Sequence, residues 1–354
     1  MIKKNKTKII SVLPVIDPYV GGCASYSEIL MKGFDQLQEI DSHLVLTEYH
    51  HPIYKRNYRS LILRILPRRR SLDEMSTIYS YFSYVIYRLI LSVSIIIFRI
   101  FGYRKLHIHT SISTQMEIMI ANLLGYKVVA DVRDMHVRES NISGADATIA
   151  CSIAIHKKID NMGFDGINKY IPIPVNFSAN SLDLAVETTS PITSKYIMYL
   201  GVISRDKGVE CLLRAFKKFK NDSENDIDLL LAGPLQEPDL INGTGEDVIY
   251  VGKLEHHEAI EYIKSASLLV VLGKFEGLPR VCLEAILNNT PFIVNGGVEE
   301  LEIDCPDCIV NTEDEDSILK ALKSDWSSFG KNKLDLNQYD SELIVKKTSQ
   351  LFRA

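Results

Sequence analysis

Short apolar runs alternate along this chain with longer segments of helical period, and the cycle starts afresh after an interruption near the middle. KIISVLPVI leads into a helical segment from about Ser25 to Leu37 and then HLVLTEY; later come KLHIHT, a helical stretch through Gln115 to Leu124, and KVVADVRD. That alternation is the signature of a parallel sheet with crossover helices. The first series closes near DATIACS, a helix through Lys157, and KYIPIPVN. The next segment, NSLDLAVETTSPITSK, is polar, rich in Ser and Thr and without strong period, so residues 179–195 are expected to be a linker. The series restarts with YIMYLGVISRDKG, a helix from Val209 to about Lys220, IDLLLAGP, VIYVGKL, SLLVVLG, a helix through Arg280 to Leu287, and TPFIVNGG. With 354 residues to divide, the chain suits two α/β domains, 1–178 and 196–335, with a cleft between them. Residues 336–354 hold a further helix, from about Ser341 to Phe352, that exceeds the count of one domain and is expected to cross back onto the first.

Charge narrows the partners. Residues 1–178 carry 22 Lys and Arg against 15 Asp and Glu, net +7, while the remainder carries 18 against 30, net −12. Most of the excess sits at 55–105, where eleven basic residues meet only Asp73 and Glu74. No nucleic-acid motif or interleaved aromatic platform accompanies this local positive field, so nucleic acid is not the expected partner and an anionic membrane surface fits better. The N-terminal basic residues precede an apolar run that Asp17 and Pro18 interrupt before a signal-peptide cleavage site could follow, so that run reads as a first strand. Cys23, Cys151, Cys211, Cys282, Cys305 and Cys308 are then most simply reduced thiols. The Cys305-Pro-Asp-Cys308 pair lacks the second pair of a zinc knuckle and reads as a loop ahead of a strand.

Three segments carry residue types suited to a phosphate-bearing ligand. Gly21 and Gly22 sit at a strand-to-helix turn, where the backbone can approach a ligand and a helix N-terminus offers N–H groups to an anion. Their spacing is not Gly-x-Gly-x-x-Gly, which disfavours a nicotinamide or flavin site, and a tight turn with no ligand accounts for them almost as well. Gly201 to Gly208 places Arg205 and Lys207 at a helix start, suiting a diphosphate that Arg grips bidentately and Lys meets as a point charge. A solvated loop is the plain alternative. The third segment, Glu276-Gly277-Leu278-Pro279-Arg280-Val281-Cys282-Leu283-Glu284, follows the strand SLLVVLG. Glu276 falls at the strand's C-terminal end, where open α/β sheets bind ligands, and Glu284 lies within the helix that Gly277 and Pro279 begin. Read singly, Glu276 is a cap and Glu284 a surface residue, but that does not explain the company they keep.

At this point the chain resembles retaining glycosyltransferase family 4, of glycosyltransferase group 1. Glu276 and Glu284 match that family's E-x7-E element, Asn288 to Gly297 with Glu300 looks like its continuation, and Gly201 to Gly208 looks like its diphosphate loop. The specific match covers residues 196–301. The resemblance implies a GT-B arrangement of two Rossmann-like domains and a hexosyltransferase-type enzyme that uses a UDP- or GDP-sugar as donor substrate, with no cofactor. It implies catalytic roles for Glu276, Lys207 and Asp134. Donor contacts are implied for Gly22, Arg205, Lys207, Lys253, Leu254, Glu276, Gly277, Leu278, Pro279 and Glu284, and acceptor-side contacts for Gly21, Gly22, Arg133 and Asp134. Two departures stand out. Val202 replaces the Arg that often follows the loop's first glycine, with Arg205 as the expected substitute, and Arg133-Asp134 replaces the family's frequent His-Asp. By residues alone, Arg133 and Asp134 are equally a plain salt bridge. No metal is expected: Asp226-Ile227-Asp228 and Asp314-Glu315-Asp316 have Asp-x-Asp spacing but read as a turn and as an N-terminal charge bias.

Residues 61–105 form a basic, apolar insert. Ile78 to Phe98 is long enough to span a bilayer, but Arg88 at its centre costs about 2.5 to 3.5 kcal/mol on the insertion scale, so spanning is not expected. Tyr81, Tyr84, Arg88, Ser92 and Arg99 share a polar stripe, so the helix either lies in a membrane interface or packs in the core with Arg88 and Arg99 surfacing at one edge. The basic insert points to a lipid-linked or growing surface-glycan acceptor and to a peripheral place at the cytoplasmic membrane face. Two other readings stay open: a nucleotide-sugar epimerase on the same architecture, and a non-catalytic nucleotide-sugar-binding subunit.

Overall fold

A computed structural model describes residues 7–16, 21–50, 60–63, 77–111, 115–175, 195–222, 226–274, 277–330 and 334–353. In chain order the elements are β1 (Thr7–Ile16), α1 (Gly21–Gln36), β2 (Ile40–His50), β3 (Leu61–Leu63), α2 (Thr77–Ile100), β4 (Lys105–His109), α3 (Gln115–Leu123), β5 (Lys127–Val132), β6 (Ala147–Ala150), α4 (Ile153–Asn161) and β7 (Ile167–Tyr170). They continue with β8 (Lys195–Leu200), α5 (Val209–Asp222), β9 (Ile227–Ala232), β10 (Val248–Gly252), α6 (His256–Ser265), β11 (Leu268–Val271), α7 (Arg280–Leu287), β12 (Phe292–Asn295), α8 (Glu299–Asp304), β13 (Ile309–Val310), α9 (Glu315–Leu322) and α10 (Ser341–Gln350). Most strands fall on the short apolar runs, but β3 lies within the basic insert and β7 is INKY, ahead of most of the expected run KYIPIPVN; the strand pairings among the described residues are parallel. The chain divides into two compact units, 1–174 with 338–354, and 175–337. The expected linker lies outside the described residues except for Lys195, which opens β8.

The first unit is a seven-stranded sheet in the order β3-β2-β1-β4-β5-β6-β7. On one face Ile10, Val12, Leu106, Ile108 and Val128 meet Tyr87, Leu91 and Ile95 of α2 and Ile118 of α3. On the other, Ile9 and Val129 meet Tyr26, Leu30 and Phe34 of α1 and Ile344, Val345 and Phe352 from the C-terminal segment. Gly33 makes that second contact possible: a Cβ there would stand 2.4 Å from Val345 Cγ2.

α2 reverses the expectation for its charged stripe. Arg88 and Ser92 do not surface at an edge; both are buried, with Arg88 3.1 Å from Glu117 on α3. A guanidinium can stay inside only with such a partner. No helix among the described residues is long and apolar enough to cross a membrane.

The second unit is a six-stranded sheet ordered β10-β9-β8-β11-β12-β13. Its central strands are apolar on both faces, with Ile197, Met198, Leu229, Leu230, Leu231, Leu269 and Val270 sealed from solvent, as a sheet covered by helices on each side requires. α5 presents Leu212, Ala215, Phe216 and Phe219 inward at helical spacing and keeps Arg214 and Lys218 outside.

Candidate functional site

In the second unit the strand order reverses between β8 and β11, so the loops leaving those two strands flank the crevice where open α/β sheets take ligands. Glycine sets how closely the loops approach. Gly208 ends the Gly201–Gly208 loop with φ +76°, and a Cβ on it would fall 2.5 Å from Thr312 Cγ2 and 2.7 Å from Leu272 Cβ, just past β11. Gly233, after β9, has φ +131° and meets Gly201 backbone to backbone, where a Cβ would stand 2.0 Å from the Gly201 carbonyl oxygen. These two positions admit no side chain, and they bring the ends of β8, β9 and β11 together.

Within that loop Arg205 and Lys207 differ. The Arg205 guanidinium binds Glu237, reaches Asp239 Oδ2 at 2.6 Å and lies 3.6 Å from Glu210. Its hydrogen bonds to Asp239 and Glu237 hold its pKa above the usual value. It is thus engaged by carboxylates of its own unit, and a diphosphate would have to displace them. Lys207 lies half-buried two residues on, beside the start of α5.

The loop after β11 leads through Gly277 and the buried Leu278 and Pro279 into α7. Glu276 lies outside the described residues. Glu284, in the second turn of α7, is buried rather than on the surface. Its Oε1 lies 2.9 Å from Arg280 Nε and 2.9 Å from His256 Nε2, and the Arg280 Nη2 lies 3.2 Å from that same ring nitrogen. His256 is the first residue of α6, whose start is fixed by Glu258 accepting from the Glu255 N–H at 2.7 Å. Lys253 is exposed and Leu254 half-buried, both just upstream of that cap. The starts of α6 and α7 thus meet at one carboxylate.

In the first unit the reversal falls between β1 and β4, and α1 begins at Gly21, not near Ser25, so the two glycines form the helix's first turn. The expected pair Arg133 and Asp134 is split. Arg133 turns back on Asp131, with Nε 2.5 Å from Oδ1, and its guanidinium stacks 3.5 Å from the Tyr26 ring centroid on α1. Asp134 is half-exposed and accepts from the His136 N–H at 2.8 Å. Asp131 also meets His107 Nε2 at 3.1 Å, His107 Nδ1 lies 3.2 Å from Ser11 Oγ, and Ser11 lies 2.8 Å from His43 Nε2. His43 continues through Ser60, which donates to Asp35 at 2.5 Å. Burial pushes the Asp131 carboxyl up, but Arg133, His107 and His109 more than reverse this and hold it well below the usual carboxylate range.

Comparison with known proteins now bears on both units. Residues 184–324 match the family described as glycosyl transferases group 1. That match falls almost wholly within the second unit. An uncharacterized glycosyltransferase of Methanocaldococcus jannaschii is 28% identical over 115 residues, which span 30% of this chain and 29% of that protein. Among solved structures, sucrose-phosphate synthase from Thermosynechococcus elongatus superimposes with TM-score 0.70 at 17% identity, covering 98% of each chain. The apo lipopolysaccharide outer core galactosyltransferase WaaB gives 0.67 at 14%, covering 98% of this chain and 99% of that one. A trehalose-6-phosphate structure from E. coli bound with UDP-2-fluoro glucose gives 0.68 at 11%, with 98% and 99% covered. These likenesses give the chain the GT-B fold of two Rossmann-like domains.

Two residues of the second unit escaped the sequence reading, His256 as a contact and Arg280 as a clamp. The signal for His256 was present: EHHEAIEYI carries Ala259, Ile260 and Ile263 at helical spacing behind a Glu-x-x-Glu start, which announces α6 and places His256 in its first turn. In the first unit Asp131 was also overlooked, although an acid inside VVADV needs a buried partner and Arg133 shares its strand face two residues on. The Asp-x-Asp segments act as structure: Asp314 caps α9 by accepting from the Asp316 N–H at 3.0 Å, and Glu315 meets Arg214 and Lys218, each at 2.9 Å. No cluster with the makings of a metal site occurs among the described residues. Cys305 and Cys308 are buried, and their mutual hydrogen bond, followed by burial, drives the Cys308 pKa upward, which opposes thiolate chemistry.

Proposed function

We propose that the chain is a retaining glycosyltransferase that moves a sugar from a UDP- or GDP-sugar to a lipid-linked or growing surface-glycan acceptor at the cytoplasmic face of a membrane. The observation that carries this reading is the clamp on Glu284: a buried carboxyl group 2.9 Å from Arg280 Nε, at a helix whose N-terminus adjoins the sheet's switch point. Such a group accepts paired hydrogen bonds from a ribose diol, and the first N–H groups of α7 with Lys207 suit the diphosphate that precedes it. In this scheme Glu276 orients the donor sugar and Lys207 neutralises the departing diphosphate. Gly277, Leu278 and Pro279 shape the phosphate turn, Lys253 and Leu254 border the base, and Arg205 takes part only by exchanging its carboxylate partners. On the acceptor side Asp134 is the better candidate for contact, since Arg133 is engaged by Asp131 and Tyr26. The UDP-sugar analogue in the E. coli structure supports a nucleotide-sugar donor, and the lipopolysaccharide galactosyltransferase supports a surface-glycan acceptor.

A thermal-shift panel of UDP, GDP, ADP and their sugars tests the donor half. One nucleoside diphosphate should raise the melting temperature, and Glu284→Gln should abolish the rise. If none shifts the wild-type protein, the donor assignment is wrong. Conversion of the donor with no acceptor present would identify an epimerase, and binding without turnover in the presence of the acceptor a non-catalytic subunit.

A further inference from the structure

With Arg88 and Ser92 turned inward, the outward side of α2 from Val85 to Ile100 is apolar. Leu89, Val93, Ile96 and Ile100 recur at spacings of three and four and are exposed, and Phe101 follows in the turn. α3 lies alongside and adds exposed Met116, Met119 and Leu123. Of the sixteen exposed large apolar side chains among the described residues, eleven sit on these two helices and the turn after α2, so the face is a concentrated patch and not ordinary surface scatter.

One end of this patch is basic. Lys8, Arg104, Lys105 and Lys127 stand at the N-terminal edge of β1, β4 and β5: Lys8 Nζ is 3.4 Å from the Phe101 carbonyl oxygen, the Lys127 N–H donates to the Arg104 carbonyl at 2.9 Å, and Lys105 faces Lys127 across the ladder. Burial and then the Lys127 charge draw the Lys105 pKa down, as expected where cations crowd. Arg99 joins them through its bond to the Leu124 carbonyl at 2.5 Å. The carboxylates beside this edge are Asp146, which accepts from the Val128 N–H at 2.6 Å, Asp41, next to Lys8 by strand register, and Glu39, whose carbonyl accepts from the Thr7 N–H at 2.9 Å and whose carboxylate pairs with Arg353. With Arg353 counted beside Glu39, six cations meet three acids among the described residues. Anionic headgroups would neutralise this basic edge at the same time as the acyl boundary takes up the apolar side chains.

We propose that the outer face of α2 and α3 docks on an anionic lipid bilayer, the two helices lying along the surface with Leu89, Ile96, Ile100 and Leu123 in the acyl boundary and the Lys8–Arg104–Lys127 edge against lipid phosphates. The segment from Val85 to Phe101 is roughly 25 Å long as a helix, and its buried Arg88–Glu117 pair belongs to the protein core, so it lies in the interface and does not cross. This surface deepens the membrane part of the function proposed above, and lipid binding is measured with no sugar transfer involved, so either reading can fail alone.

The test is co-sedimentation of the purified chain with phosphatidylglycerol-containing vesicles and with pure phosphatidylcholine vesicles at low salt. It compares wild type, Leu89→Glu with Ile96→Glu, and Arg104→Gln with Lys127→Gln. Both doublets change surface-directed groups, and unchanged melting curves verify that they fold. Wild type should partition onto the anionic vesicles. The glutamate doublet should lower partitioning at least tenfold and the glutamine doublet about thirtyfold, since each basic residue near such a surface is worth about a factor of five. Wild type that stays in the supernatant, equal binding to neutral vesicles, or either doublet binding like wild type overturns the proposal. Light scattering that shows a dimer converted to monomer by the glutamate doublet assigns the face to a second copy instead.

Discussion

Arg88 and Glu117 meet 3.1 Å apart on the inner sides of α2 and α3, both closed off from solvent. This one ion pair decides which way α2 faces, because a helix with a single charged group in its middle must either expose that group or provide for it inside.

Breaking the pair should therefore cost more than removing both halves. Arg88→Ala leaves Glu117 charged and buried, and is expected to destabilise the chain by about 3 to 5 kcal/mol. Arg88→Met combined with Glu117→Leu should recover most of that loss. Urea denaturation of the wild type, the single variant and the double variant measures both; a single variant as stable as wild type would mean that the pair is solvated in solution.

Donor binding should respond to Glu284 and His256 in graded fashion. Glu284→Gln removes charge-assisted bonds worth roughly 1.5 to 3 kcal/mol, or about ten- to a hundredfold in donor affinity. His256→Ala leaves Arg280 holding the carboxylate, so the donor KM should rise only several-fold with kcat near the wild-type value. Glu276→Ala should lower kcat instead, if that residue acts beside the reacting sugar. Steady-state kinetics over donor concentration separates the three; wild-type parameters for Glu284→Gln would remove it from the site.

Lys207→Ala is expected to weaken binding of the intact nucleoside diphosphate far more than of the nucleoside, because its contact is with phosphate charge. In the same preparation activity should survive EDTA. Calorimetric titrations and a chelator series check the two statements, and rescue of an EDTA-inactivated enzyme by Mn²⁺ or Mg²⁺ would show that an ion supplies the leaving-group charge.

Acid should loosen the first unit through its histidines before its carboxylates. Burial, aided by His107, draws His43 down to about 3, and burial draws His109 down to about 4. In an unfolded chain both titrate near 6.5. Between those values the unfolded state takes up protons that the folded state refuses, so stability is full above about pH 6.5 and falls as the pH drops. At pH 5 the loss is about 2 kcal/mol for each histidine. Asp131, with its depressed pKa, adds its own loss only below about pH 4. Melting curves from pH 7 to 5 should show the decline, and His109→Gln should flatten its slope whatever it does to the absolute stability.

The parts of the fold that depend on local period were legible in the sequence. Runs such as IDLLLA and KVVADV are short, apolar and bounded by turn residues, and no tertiary contact is needed to recognise them as strands. Side-chain destinations were harder to read, because they depend on partners distant along the chain. Arg88 reads as an outward charge until Glu117, twenty-nine positions on, is known to lie beneath it, and Arg205 reads as a phosphate ligand until Glu237 and Asp239 fold beneath its loop. Glu284 shows both sides: its spacing from Glu276 marked it, but its burial and its clamp depend on the start of α6.

α10 and Phe352 complete the core that Ile9 and Phe34 begin, although the whole second unit lies between them in the chain. On a ribosome, then, the first unit's sheet would emerge long before the helix that seals one side of it, and it would wait with an open hydrophobic groove while some 160 further residues are made. The second unit, continuous from 175 to 337, has no such wait, so the later-made half of the polypeptide is free to reach its native packing first.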